Sequence, residues 1–176
     1  MKKIIVFSSI ILALILITGC TKVGKYQEGT YYAFDEETQY MVTMYVNEKG
    51  VIKSVLFDAI YPTGCATRNV LDDTCKLITK QALGDAYNMK ASSKIGKEWY
   101  EQVNTFAEKV IKEQGINWVE FKYRVEVDNA YQFTAEQPTG ASETDKTYTD
   151  SVSGVTIHVD NLHRLISDVL EQAKNE

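Results

Sequence analysis

Gln39-Tyr40-Met41-Val42-Thr43-Met44-Tyr45-Val46-Asn47-Glu48-Lys49-Gly50-Val51-Ile52-Lys53-Ser54-Val55-Leu56 is the stretch on which the fold turns. Two runs of β-branched and aromatic residues, Gln39 to Val46 and Val51 to Tyr61, flank the turn-forming Asn47-Glu48-Lys49-Gly50, so the segment reads as a β-hairpin. Thr30 to Phe34 has the same composition and extends the hairpin to a meander. In the third run Ile52, Leu56 and Ile60 share a side with Ser54 and Asp58, and burial on both faces would account for that imperfect alternation.

Toward the C-terminus the pattern changes. Leu71 to Tyr87 mixes signals: Leu77, Ile78, Ala82 and Leu83 have partial helical spacing and Gly84 interrupts it, and the segment is read as helix. Trp99, Val103, Phe106, Ala107, Val110 and Ile111 recur at helical spacing before Gly115 at the C-cap position, which predicts a helix of about four turns. Asn117 to Val127 returns to strand composition, Tyr131 to Ala135 adds a short strand, and the polar Glu136 to Thr149 reads as an exposed loop. Leu162, Leu165, Ile166, Val169, Leu170 and Ala173 mark a last helix, with Asp160 as its N-cap. With 176 residues and 44% hydrophobic side chains, the chain predicts one α+β domain, an antiparallel sheet with packed helices.

The N-terminus has a different character. Lys2 and Lys3 precede an apolar run from Ile4 to Ile17 broken only by Ser8 and Ser9, the anatomy of an export signal over residues 1–19. A membrane span needs ~20 apolar residues, and this run is shorter. Ile17-Thr18-Gly19-Cys20 resembles the lipobox of bacterial lipoproteins. That resemblance implies Cys20 as the mature N-terminus, carrying acyl chains such as palmitate, and a body anchored to membrane lipid on the extracytoplasmic face of the cell membrane. At ~0.8 kcal/mol per buried methylene, more than one chain gives stable anchoring. Residues 20–28 then read as a lipidated tether, polar and aperiodic from Thr21 to about Gln27, and residues 29–176 as the domain.

The chain has 19 basic and 24 acidic residues, a net charge of −5, and loss of Lys2 and Lys3 with the leader makes it more acidic. Nucleic acid is therefore not an expected partner. Cys65 and Cys75 can close a short disulfide loop in an exported protein, or remain as two free thiols. A metal site is disfavoured, because no Cys-x-x-Cys pair occurs and the only histidines, His158 and His163, lie far along the chain.

Asp150-Ser151-Val152-Ser153-Gly154-Val155-Thr156 stands just before the last amphipathic helix. Taken alone it is a turn leading into a helix, for which Asp, Ser, Gly and Thr are ordinary residues. It also resembles the D-x-x-[ST]-G-A-[ST] motif of FMN-binding domains that are flavinylated on the final hydroxyl. Gly84 to Lys90 and Ile95 to Gln102 are likewise similar to the FMN-binding lipoproteins of Gram-positive extracellular electron transfer, so the similarity runs from about Gly29 to the C-terminus.

The resemblance implies FMN held covalently by a phosphodiester to Thr156, attached by a dedicated FMN transferase that uses FAD and Mg²⁺. Asp150, Ser153, Gly154 and Val155 would complete the cofactor-binding motif, although the family prefers Ala where this chain has Val155. The chain would be an electron carrier rather than an enzyme, taking electrons from a membrane quinol or NADH dehydrogenase and passing them to external acceptors. A helix start after Thr156 would favour a phosphate through free N–H groups and the positive dipole end. Gly154 would permit close backbone approach. Asp150 is expected to hold the metal or the acceptor hydroxyl during transfer, since a bare carboxylate repels phosphate.

Other features rank lower. Glu136 to Ser142 mimics the motif with Glu for Asp but no helix follows Ser142 directly, and Thr63 to Thr67 has Ile60 where the acid belongs, so one flavin per chain is expected. Trp99, Tyr100, Trp118 and Tyr123 can stack on a flat ring, although burial tendencies favour the core. His158 and His163 have no serine or cysteine partner assignable from sequence, and no nicotinamide-binding glycine loop occurs. The alternative to a flavoprotein is a non-redox surface lipoprotein that binds a ligand or another protein.

Overall fold

The computed structural model describes residues 24–64, 74–120, 122–127, 130–134, 139, 146–147 and 153–174. The export signal, Cys20, Cys65 and Asp150 lie outside the described residues, as does most of the Glu136 to Ser142 motif mimic.

The meander forms as its composition predicts. Strands β1 (Gly29–Phe34), β2 (Tyr40–Val46) and β3 (Ile52–Thr63) pair antiparallel in sequence order. At the β2–β3 turn Asn47 Oδ1 accepts the Lys49 and Val51 amides. Gly50 takes φ +68°, and a Cβ there would lie 2.6 Å from the Tyr26 carbonyl oxygen, so only glycine closes this turn without strain.

The irregular alternation of β3 has a different cause from two-sided burial. Val46 faces Ile52 but Tyr45 faces Ser54, which leaves Lys53 as an extra residue in a β-bulge. A bulge shifts the side-chain phase by one. Ile52 points inward before it, Val55, Phe57 and Ala59 point inward after it, and Leu56 is left on the solvent face, 53% exposed.

Leu77 and Ile78 are strand residues rather than helical ones. Strand β4 (Lys76–Thr79) pairs antiparallel with the end of β3, followed by one helical turn, α1 (Lys80–Leu83), and a 3₁₀ turn, Gly84–Tyr87. Edge pairing with Ile60 to Thr63 overrides a helical spacing too short to nucleate by itself. A second sheet, in the order β6-β5-β7, is formed by β5 (Lys122–Val127), β6 (Ala130–Thr134) and β7 (Lys146–Thr147). Strand β7 falls inside the stretch expected to be loop.

Helices α2 (Trp99–Glu113) and α3 (Asp160–Gln172) pack on the four-stranded sheet β1-β2-β3-β4, giving an α+β architecture. Val42, Met44, Val55 and Phe57 from the sheet meet Val103, Phe106 and Val110 of α2 and Leu162, Leu165, Ile166 and Val169 of α3 in one buried cluster. Phe57 and Phe106 tilt together at 5.5 Å between ring centroids. Arg164 on α3 pairs with Asp35 at the β1–β2 turn.

Helix α2 ends in a Schellman arrangement: the Gln114 amide donates to the Ile111 carbonyl and the Gly115 amide to Val110. The left-handed residue is Gln114 (φ 54°), one position before the glycine expected to cap the helix. Its side chain explains the choice, because Gln114 Oε1 accepts the Ile52 amide at 2.8 Å and Nε2 donates to the Ile52 carbonyl at 3.0 Å, extending β3 with a strand-like pair. At α3 the cap position is Val159, and Asp160 is the first helical residue, where its carboxylate faces the positive end of the helix dipole.

The segment read as a tether is attached to the body from Gly24 onward. Tyr26 is 8% exposed and its hydroxyl donates to the Gln114 carbonyl, while the Gln27 amide donates to Ala173. Cys75 is disulfide-bonded, and its partner lies outside the described residues.

Candidate functional site

The motif residues Ser153 to Thr156 lie beside the N-terminal half of α2. Side-chain direction alternates here: Val155 is buried, 4% exposed and part of the core cluster, while Ser153 and Thr156 are exposed. The bulk that separates Val155 from alanine is therefore spent inside the core. Thr156 is an exposed residue at the surface of the loop.

What holds Thr156 is Gln102, a residue of α2 that is 0% exposed. Its Oε1 accepts three donors: the Thr156 amide at 2.8 Å, the Ile157 amide at 3.2 Å and Thr156 Oγ1 at 3.3 Å. Its Nε2 donates to the Lys97 carbonyl at 3.3 Å and lies 3.5 Å from Ser93 Oγ, so both ends of the amide are used and its orientation follows. Thr156 precedes the Val159 cap of α3 by three residues, and its hydroxyl donates to Gln102 on α2.

Gln102 is fixed by the way α2 begins. The Glu98 amide donates to Glu101 at 2.8 Å in a capping box. The Glu98 carboxyl group, 1% exposed, accepts the Met89 amide at 2.9 Å and the Lys90 amide at 3.0 Å, one on each oxygen. Glu98 thereby ties residues 84–90 to 95–102, and Gln102 ties 95–102 to 153–157. All three stretches that carry the sequence resemblance meet at the start of one helix.

Gly154 has φ +86°, and a Cβ built on it would stand 3.1 Å from Lys97 Nζ and 3.9 Å from the Thr105 methyl. The glycine leaves room for an ammonium against the backbone of the motif. A hydroxyl on an exposed residue, a nearby cation and an open glycine suit a phosphate ester, so the residues present fit a covalently bound nucleotide at Thr156. Neither Lys97 nor Gln102 is singled out by the motif itself; their only signal in the sequence is membership of the Ile95 to Gln102 stretch.

Each aromatic candidate has a partner in the fold, and two of them, Trp99 and Tyr100, stand in the first turn of α2. Trp99 and Tyr123 are buried, Trp99 edge-on to Tyr40 with centroids 6.1 Å apart. Tyr100 donates its hydroxyl to Asp85, and Trp118 packs on Phe106 with Lys109 over its ring. A cavity of about 730 Å³ lies at the far end of α2, lined by Lys25, Tyr26, Gln114, Gly115, Trp118 and Lys174 among others, and Thr156 is not in its wall. His158 is largely exposed, with Nδ1 3.9 Å from Asp160. Burial lowers the His163 pKa below its ordinary value. Among the described residues no cluster of His, Cys, Asp and Glu is arranged to hold a metal, and no helix is long and apolar enough to cross a membrane.

No protein-family model matches the chain, and no match is found among the curated proteins or the solved structures. The likeness to FMN-binding lipoproteins accordingly rests on the motif residues of the sequence alone.

Proposed function

We propose that this chain is a membrane-anchored, extracytoplasmic flavoprotein that carries FMN covalently on Thr156 and relays electrons between a donor in the membrane and acceptors outside it. The observation that supports this reading is that the start of α2 holds both other stretches, Glu98 bonding residues 89–90 and buried Gln102 bonding Thr156 and Ile157, with Thr156 an exposed residue. In the attachment reaction the Thr156 Oγ1–P bond forms as the pyrophosphate P–O bond of FAD breaks. AMP leaves with the electron pair, and the hydroxyl proton passes to a base on the Mg²⁺-dependent transferase. The bound flavin would supply reversible electron transfer, and the protein supplies position and local charge. Covalent attachment answers a physical problem, because a dissociable FMN outside a cell diffuses away.

The test is co-expression of the full chain with an FAD-dependent FMN transferase, followed by intact mass and visible absorbance. The expected product is heavier by one FMN less water and is yellow, and Thr156→Ala removes both signatures. An unmodified, colourless wild-type chain beside a demonstrably active transferase refutes the proposal.

A second reading, a non-redox surface module that binds a protein or ligand through its sheet, is favoured by the outer sheet face. There Tyr32 is 73% and Leu56 53% exposed on either side of Thr43, and Leu77 on β4 is 63% exposed. The same mass measurement separates the two readings.

A further inference from the structure

Resting on that flavin reading, we infer that α2 supplies the receiving half of the attachment site: Gln102 is the positioning residue for the Thr156 hydroxyl, and Lys97 is the counter-charge for the phosphodiester. Gln102 Oε1 has two lone pairs and three donors, of which the hydroxyl is the most distant at 3.3 Å. The two backbone amides hold the loop, and the hydroxyl is the removable third donor. Because Oγ1 donates to Gln102, its lone pairs are not spent in that bond and can meet an incoming phosphorus atom. Esterification then takes away the hydroxyl proton without stranding a buried group, because Oε1 keeps the Thr156 and Ile157 amides.

Lys97 completes the arrangement from the residue before the α2 cap. Its ammonium stands against Gly154, two residues from the acceptor, where only a glycine leaves it undisplaced. The diester adds one negative charge to an acidic chain, and a partly exposed lysine beside it offsets that charge in a salt-dependent way.

The experiment uses the full chain in detergent micelles with purified transferase, FAD and Mg²⁺, following intact mass over time at saturating and subsaturating chain. Gln102→Met keeps the side-chain length and removes the acceptor; it is expected to lower the transferase kcat about tenfold with the apparent KM for the chain within about twofold. Circular dichroism and melting temperature establish folding first. If Gln102→Met does not fold, Gln102→Asn, which withdraws the amide by one methylene, takes its place with the same expected loss. Lys97→Met is expected to slow modification about threefold at low salt, with the difference closing at high salt, and Lys97→Arg to restore the rate. Wild-type kcat in the folded Gln102 variant, or a wild-type rate for Lys97→Met at low salt, overturns the inference. A wild-type chain that takes up no FMN refutes the flavin reading itself, whereas loading that is equal in wild type and variants refutes only the roles of Gln102 and Lys97.

Discussion

Replacing Val155 by alanine, the residue that the flavinylation motif prefers, separates the direction of this side chain from its place in the motif. Val155 is 4% exposed within the core cluster, so Val155→Ala removes two buried methyl groups. At ~0.8 kcal/mol per buried carbon, the lost transfer energy is about 1.6 kcal/mol. A vacated volume of roughly 40 Å³, at ~24 cal/mol per Å³, adds up to about 1 kcal/mol if nothing relaxes. Val155 lies on a loop next to exposed Thr156 and not inside a strand or helix, so partial collapse is expected and the net cost is about 2 kcal/mol. For a chain of this size that corresponds to a melting temperature lowered by roughly 4–8 °C. Denaturant unfolding of the unmodified protein, with an unchanged m-value, measures the loss directly. Because the valine points away from the hydroxyl, the flavinylation rate should stay within about twofold of wild type, which is under 0.5 kcal/mol in barrier. A stability change below about 0.5 kcal/mol, the range of ordinary surface substitutions, would refute the buried placement. Faster modification by an order of magnitude would show that the valine obstructs the acceptor.

Gln114→Ala should destabilise the protein by about 2 kcal/mol in denaturant melts, because it strands the backbone groups of Ile52 and keeps a left-handed non-glycine residue; a neutral effect would contradict the Gln114–Ile52 pair. Hydrogen bonds from Thr38, then from the Glu37 and Thr38 amides and Arg164, pull the Asp35 pKa from 3.8 down to about 2 against opposing desolvation. A depressed carboxylate stabilises the fold fully above its unfolded pKa and loses that contribution as protons bind, so wild-type stability should fall between about pH 4 and pH 2. Asp35→Asn should show a shallower acid slope in that window, and an identical slope would argue against the contact network around Asp35.

The hairpin and the two long helices were legible from sequence because each depends on neighbours within a few residues. Strand composition and Asn47-Glu48-Lys49-Gly50 mark the turn locally, and the spacing of Trp99, Val103, Phe106 and Val110 marks one face of a helix. Features created by distant pairing were not legible. Lys53 becomes a bulge only when β3 registers on β2, and Lys76–Thr79 becomes a strand only because the end of β3 offers an edge. Gln114 replaces glycine as the left-handed residue because Ile52, 62 positions away, rewards its side chain.

The candidate site divides the same way. The turn preferences of Asp, Ser, Gly and Thr mark a helix entry at D-x-x-S-G-V-T from local chemistry, and only the resemblance to a flavinylation motif singles out the Thr156 hydroxyl. Which groups surround that hydroxyl is a matter of tertiary structure. Gln102 reaches Thr156 across 54 positions only because the packing of α2 against the sheet rotates that side chain inward and brings the 153–157 loop over it. Short-range preferences are encoded residue by residue, whereas the rotation of a helix about its axis is set by the whole core at once.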